Sequence, residues 1–164
     1  MRRRMSSRSG AWMVAYSLLG AAALVEAAKR RRRDGGWPAL LAGVPLAVAG
    51  YQAGNAVLRH KPSGPPPEGL PLELLALAGV VAPVEELTWG GIVEPRLGIP
   101  ATAMLFAVKH VVVDGRWRRA AGLAMFWAGL GLVRRRSPKL ALGLHVAANA
   151  SGVLLGHLSG EDSF

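Results

Sequence analysis

Residues 70–93 read LPLELLALAGVVAPVEELTWGGIV, an apolar stretch of helical length that contains Glu73, Glu85 and Glu86. About 20 apolar residues are needed for a helix to cross the hydrocarbon core of a bilayer. Ionisable groups are costly in such a setting, so they are expected to mark a functional site. This stretch therefore predicts a membrane-spanning helix with an acidic site within it.

Further apolar stretches flank this one on both sides. We expect the other spans at residues 11–28, 37–58, 98–113, 120–133 and 140–158. The stretch 120–133 is about half the usual length and is expected to be tilted or re-entrant. Residues 60–67, HKPSGPPP, are too rich in proline to be helical. The sequence thus predicts an all-α fold, a polytopic transmembrane bundle of about six helices.

The basic residues are grouped between the apolar stretches. The chain carries 20 Lys and Arg for a formal net charge of +10, and most lie in residues 2–8, 29–33, 116–119 and 134–136. This alternation is typical of basic loops at anionic lipid headgroups, whereas a nucleic-acid-binding domain would spread its basic residues over a soluble surface. We therefore expect membrane lipids as partners and no nucleic acid. Alternate loops share the basic residues evenly, so the membrane orientation stays open.

The N-terminal region has two interpretations. Its arginines, apolar stretch and Ala27-Ala28 resemble a secretory signal peptide, but the basic block that follows at Lys29 favours a retained anchor. We assign residues 1–66 to anchoring helices and a Pro-rich linker, 67–160 to the core and 161–164 to an acidic tail, in one structural unit.

The 21 glycines predict close helix packing. The absence of cysteine excludes disulfides, thiolate metal sites and cysteine catalysis.

Glu85 and Glu86 are the first of three polar motifs. Adjacent residues on a helix point about 100° apart, so one carboxylate can face a cavity while the other contacts a neighbouring helix. The alternative is a pair of acids at a helix N-terminus after Pro83, where the helix dipole favours them. Apolar sequence on both sides favours a buried site with acid–base chemistry.

Two histidine motifs follow on later spans. His110 shares a helical face with Phe106 and with Asp114, and Asp114 is placed to accept a hydrogen bond from the other ring nitrogen. A helix-end His-Asp pair at the interface is the alternative. His145 and Asn149 lie one turn apart, and both can donate hydrogen bonds to a developing oxyanion. Alternatively, this second pair only holds transmembrane helices together.

These motifs, in this order on three spans, resemble the CPBP family of intramembrane proteases. The family, also called the Abi or CAAX-protease-2 family, includes the Ras-converting enzyme and bacterial proteins of bacteriocin processing or self-immunity. Its pattern is Glu-Glu-x-x-x-Arg, then Phe-x-x-x-His, then His-x-x-x-Asn or Asp. The resemblance covers residues 70–158.

The resemblance implies hydrolysis of a peptide bond by activated water inside the membrane. Glu85 would be the general base, His110 would position the water, His145 and Asn149 would stabilise the oxyanion, and Glu86 would support them. Zinc is the possible cofactor, because two histidines and a glutamate recur as its ligands. We favour a metal-free mechanism, since Asn149 is a poor zinc ligand and a good oxyanion donor.

One position departs from the family pattern. The motif arginine is replaced by Gly90, which removes a cation that would compensate the buried carboxylates. Arg96 and Lys109 are the candidate substitutes. If neither serves, the chain would be an inactive relative that acts as an immunity or membrane-binding protein. A small transporter or channel is the third hypothesis, although the chain shows no internal repeat of the kind that many transporters contain.

The class of substrate and the cellular location can be predicted in general terms. We expect a membrane-associated protein or peptide as substrate, processed in the manner of a CAAX protein or of a bacteriocin or leader peptide. The Ala-, Gly- and Arg-rich composition favours a GC-rich genome and therefore a multi-pass protein of a bacterial plasma membrane. Oligomeric state stays open.

Overall fold

The computed structural model describes residues 36–56, 70–114 and 117–159. Within these ranges every regular element is a helix and no strand occurs, which confirms the all-α fold class. The predicted first span, the linker at 60–67 and the acidic tail lie outside the described residues.

The helix bounds agree with the predicted apolar stretches to within a few residues. The first described helix, α1, is Trp37–Ala56. Residues 70–93, which we call the glutamate helix, run without interruption through α2 (Leu70–Leu74), π1 (Leu75–Val81), α3 (Ala82–Glu85) and π2 (Glu86–Val93). Then follow α4 (Glu94–Asp114), a 3₁₀ turn (Trp117–Arg119), α5 (Ala120–Arg136) and α6 (Pro138–Ser159).

Helix α5 is longer than the sequence predicted. Its 17 residues extend one turn beyond the predicted stretch 120–133, because the arginines at 134–136 continue the helix. The prediction that these arginines form a basic loop is therefore wrong. The extra turn carries Arg134 alongside the glutamate helix.

Glycines allow α1 and α5 to pack with their backbones in contact. A Cβ added at Gly50 would lie 2.2 Å from the backbone nitrogen of Phe126, and one at Gly129 would lie 2.3 Å from that of Ala47. No side chain fits at such distances, so the backbones of the two helices pack directly against each other. The predicted close packing through small residues is confirmed for this pair.

Gly98 interrupts helix α4 near its start. Its backbone has φ 79° and ψ 167°, a conformation that only glycine adopts without strain. The hydroxyl of Thr102 donates a hydrogen bond to the Gly98 carbonyl at 2.8 Å and holds the break. The interruption lets Glu94 stay with the glutamate helix, while the rest of α4 runs along α5.

The core is aromatic and lies directly beside the polar motifs. Phe106 and Trp127 are fully buried and stack with ring centroids 4.0 Å apart and planes at 22°. Phe126 and Leu130 from α5, with Ala47 from α1, complete the cluster. Because the motif residue Phe106 belongs to this cluster, α4 is held at a defined rotation against α5.

One helix of the described residues is long and apolar enough to cross a membrane. It covers Pro138–Leu158 with a mean hydropathy of 1.3. Helix α5 has only 17 residues, and the glutamate helix is divided into short segments and carries three acids. The number of six spans therefore stays a prediction.

The close contact between α1 and α5 predicts the effect of adding a methyl group at Gly50. Gly50→Ala should lower the free energy of unfolding by about 1–3 kcal/mol, since the new Cβ would meet α5 backbone atoms that cannot move aside. Gly54→Ala, one turn on in the same helix, is the control, because its Cβ would meet nothing within 4 Å. Thermal unfolding of both purified variants checks this, and equal midpoints would contradict it.

Candidate functional site

The two adjacent glutamates converge on one histidine. Glu85 ends α3 and Glu86 begins π2, and the two residues are only 2% and 8% exposed. A Glu85 oxygen lies 3.4 Å from Nε2 of His145, and a Glu86 oxygen lies 3.1 Å from its Nδ1. Glu86 contacts neighbouring helices as we expected, and Glu85 reaches α6 as well. The two glutamates lie where the glutamate helix changes from α to π, a type of helix irregularity that is frequent at functional sites.

His145 is therefore enclosed by acceptors. It is 1% exposed, and its ring stands edge-on to Phe126 and Trp127 at centroid distances of 5.5 and 5.6 Å. An imidazole with a carboxylate oxygen at each nitrogen is matched by its doubly protonated form, in which both nitrogens donate. This arrangement places a cationic donor between two buried acids.

Lys109 supplies a second cation to the site. Its ammonium contacts a Glu85 oxygen, and its side chain is 16% exposed. It also lies 5.0 Å from the centroid of the Phe106 ring. Lys109, one of the two candidate partners of the glutamates, therefore pairs with Glu85.

His110 faces the same carboxylate from α4. Its Nε2 lies 3.8 Å from a Glu85 oxygen, and its Nδ1 lies 3.0 Å from the backbone carbonyl of Phe106. That carbonyl, one turn earlier in the helix, takes the partner role that we predicted for Asp114. The side chain of Asp114 is outside the described residues. With Nδ1–H donating to the carbonyl, the lone pair of Nε2 is directed towards Glu85.

Asn149 joins α6 to the glutamate helix. Its amide nitrogen donates a hydrogen bond of 2.9 Å to the carbonyl of Leu77 in π1. An amide nitrogen carries two N–H donors, and this bond uses one of them. Asn149 therefore has the helix-joining role that we considered as the alternative, and it retains a donor for an oxyanion.

Arg134 is the site residue that the sequence analysis missed. Its Nε donates to a Glu86 oxygen at 2.8 Å, and its Nη1 lies 2.5 Å from Glu94, with only 10% of the arginine side chain exposed. Arg96, our other candidate, is exposed and donates to the Ile92 carbonyl of its own turn, so that expectation is wrong. One signal in the sequence indicated that such a residue exists, because two buried acids need a nearby cation.

Glu94 lies between the predicted third and fourth spans and shares Arg134 with Glu86. Burial raises the pKa of the Glu94 carboxyl above its ordinary value, and the guanidinium of Arg134 opposes that shift. A third carboxyl thus borders the site at the start of α4.

An open cleft gives access to the histidines. Its empty space, counted to its mouth, is about 550 Å³. Glycines of α1, α5 and α6 line one side, and the polar groups of its wall include His110, His145, Asn149, Tyr51 and Arg119. The buried carboxylates of the glutamate helix lie behind the imidazoles. A ligand in this cleft would meet the histidines and the amide first.

The predicted residues do not form a zinc site as they are arranged. Zinc needs three protein ligands at about 2.0–2.2 Å around one point. Both nitrogens of His145 face carboxylates, and the ammonium of Lys109 contacts Glu85, where it would repel a metal ion. In the part of the chain that the structure describes, no three His, Asp or Glu side chains could hold a metal ion.

No family model, curated protein or solved structure matches this chain.

The contact between Lys109 and Glu85 predicts a strong effect of removing the lysine charge. Lys109→Met should lower the free energy of unfolding by about 3–5 kcal/mol, because it removes the ammonium that contacts the buried Glu85 carboxylate. Adding Glu85→Gln to that variant should restore part of the loss, since the uncompensated charge is then gone.

Denaturant unfolding of the two single variants and the double variant measures this coupling. Lys139→Met is the control, because Lys139 is exposed at the start of α6. Additive effects of the two substitutions would contradict the predicted ion pair.

Proposed function

We propose that this protein is an intramembrane endopeptidase that hydrolyses a peptide bond of a membrane-associated substrate. The observation that carries the proposal is the convergence of Glu85 and Glu86 on His145, with His110 on the opposite side of Glu85. All four are residues of the motifs that resemble the CPBP proteases. His110, His145 and Asn149 line the cleft, and Glu85 lies next to both histidines. Groups for acid–base catalysis and for binding an oxyanion are therefore close together, which suits water-activated hydrolysis.

In the proposed mechanism Glu85 is the general base. A distance of 3.8 Å between His110 and Glu85 is too long for a direct hydrogen bond and suits a water held by both groups. Glu85 takes a proton from that water as its oxygen attacks the substrate carbonyl carbon. The proton then passes to the amide nitrogen as the C–N bond breaks.

The oxyanion donors come from α6. The second N–H of Asn149 would donate to the negative oxygen of the tetrahedral intermediate, and a doubly protonated His145, whose N–H groups face Glu85 and Glu86, would stabilise that oxygen through its positive charge. Glu86 keeps the His145 ring in place from the side away from the cleft. Lys109 contacts the same Glu85 oxygen that faces His110, and Nε2 of His145 lies 3.4 Å from the other oxygen, so that the base has one defined orientation.

Exposed apolar side chains support the membrane setting. Helix α6 has only 22% of its apolar window buried, whereas the core helix of a soluble protein is mostly buried. Leu72 and Met104, on the glutamate helix and α4, are 67% and 61% exposed. A soluble surface seldom carries large apolar side chains on so many elements, so lipid is the proposed surrounding. We expect a multi-pass protein of about six helices in a bacterial plasma membrane.

This setting can be tested with single cysteines, since the chain has none. Spin labels at Met104→Cys and Leu154→Cys should be more accessible to oxygen than to a water-soluble nickel complex in reconstituted bilayers. A label at Arg135→Cys should show the reverse, because Arg135 is an exposed charge at the end of α5. Preferential nickel accessibility at Met104 and Leu154 would contradict the proposed lipid contact.

The inactive relative is the second candidate function. Its argument was the loss of the motif cation at Gly90. A guanidinium nevertheless lies beside Glu86, so that argument is weaker than the sequence suggested. No observation among the described residues specifically supports the transporter hypothesis.

The decisive experiment compares peptide termini in the membrane proteome of cells with wild-type protein, Glu85→Gln or Glu73→Gln. Glu73 is on the same helix but away from the cluster, and it pairs with His157. Its side chain is 42% exposed, so its substitution is a matched control. New termini should appear with wild type and Glu73→Gln and be absent with Glu85→Gln, because only that variant lacks the base. Identical termini in all three, at equal folded amounts, would favour the inactive relative.

A further inference from the structure

Gly90 and Arg134 occupy one place in the structure. A Cβ added at Gly90 would lie 2.3 Å from Nε of Arg134 and 2.6 Å from its Cζ. Gly90 is buried on π2, four residues after Glu86, and Arg134 reaches it from α5. The absence of a side chain at position 90 therefore provides the space that the guanidinium fills.

The guanidinium is held there by directed contacts. Two of its nitrogens bind Glu86, with Nε at 2.8 Å and Nη2 at 3.0 Å from the two oxygens. Nη1 bonds to Glu94, and the group lies 4.9 Å from the ring centroid of Trp127. A planar fork is required for such a pattern, and a lysine ammonium cannot reproduce it.

These contacts connect Arg134 to the proposed general base. The Glu86 oxygen that binds Nη2 also contacts Nδ1 of His145, whose Nε2 faces Glu85. The orientation of the His145 ring thus depends on the orientation of Glu86. The ammonium of Lys109 contacts Glu85, whereas the guanidinium of Arg134 contacts Glu86 beside His145.

We propose that Arg134 is a positioning residue of this site, delivered from α5 into the space that Gly90 leaves open. The cation that the sequence lacks at position 90 is supplied by another helix. The catalytic part of this inference rests on the proposed function, whereas the charge pairing of Arg134 with Glu86 does not.

The test is an exchange of the two residues. Arg134→Ala should reduce kcat about 100-fold with a small change in KM, because misplacement of catalytic groups by about 1 Å costs that much. Gly90→Arg alone should also be harmful, since two guanidiniums would then compete for one place. Gly90→Arg combined with Arg134→Ala should recover at least part of the activity that Arg134→Ala loses. Gly90→Arg would then be harmful in one background and beneficial in the other.

Two further variants separate positioning from general stability. Arg134→Lys should stay well below wild type although its charge is kept, because it lacks the planar fork. Arg135→Gln, the exposed neighbour, should behave as wild type. Wild-type activity of Arg134→Ala would overturn the proposal. So would an exchange variant that folds and is no more active than Arg134→Ala.

A measurement without turnover keeps this inference distinct from the proposed function. In infrared spectra at neutral pH, recorded in a Glu94→Gln background because Glu94 also bonds to Arg134, Arg134→Gln should show an additional protonated carboxyl band that disappears when Glu86→Gln is added. Absence of that band would overturn the charge pairing of Arg134 with Glu86. If the wild-type protein had no Glu85-dependent peptidase activity, the proposed function and the catalytic role of Arg134 would fail. The infrared result would still decide the pairing.

Discussion

The burial of three carboxylates within one small volume is the constraint on which the site depends. Glu85, Glu86 and Glu94 are each no more than 9% exposed. Ions taken out of water need partners of opposite charge, and breaking a buried pair costs several kcal/mol. The partners come from three different helices: Lys109 from α4, Arg134 from α5 and His145 from α6. Charge compensation therefore requires the helices to be assembled around the glutamate helix before the site exists.

Packing outside the site supplies the positions that this compensation needs. The glycine contacts bring α1 against α5, and the stack of Phe106 on Trp127 sets the rotation of α4. Phe106 serves both purposes, because its ring belongs to the core and its carbonyl accepts from His110. The orientation of the His110 imidazole thus depends on an aromatic residue that has no acid–base chemistry of its own. The break at Gly98 adds the last condition, since it allows Glu94 and Lys109 to approach the cluster from one helix.

The proposed peptidase activity and the departure at Gly90 can be understood together. A glutamate pair in an apolar setting needs a cation of fixed geometry, and a guanidinium on either helix can meet that need. In this chain the arginine comes from the neighbouring helix, so the glutamate pair is compensated only when α5 is in place. Arg134 is followed by Arg135 and Arg136, and such a run of arginines has the sequence pattern of a basic loop. The role of Arg134 at the glutamates is therefore not apparent from the sequence.

Much of the helical framework could be predicted from apolar length and from the proline and glycine breaks. The bounds of α1, α4 and α6 follow that pattern, and the motifs indicated Glu85, Glu86, His110, His145 and Asn149 as the site. The number of membrane spans could not be decided in this way, because short and charged helices such as α5 give no clear hydropathy signal.

By itself, the sequence determined the helical class, the close packing at glycines and the residue types of the acid–imidazole site. Only the tertiary structure decided their partners. Helical spacing predicted Asp114 as the partner of His110, yet the structure uses a backbone carbonyl. Of the two cations considered for the glutamates, Lys109 contacts Glu85, whereas Glu86 binds Arg134 and not Arg96. The physical reason is that spacing along one helix defines which residues share its face. The cation that meets a buried carboxylate is chosen by which helices pack together, and those contacts join residues 48 positions apart.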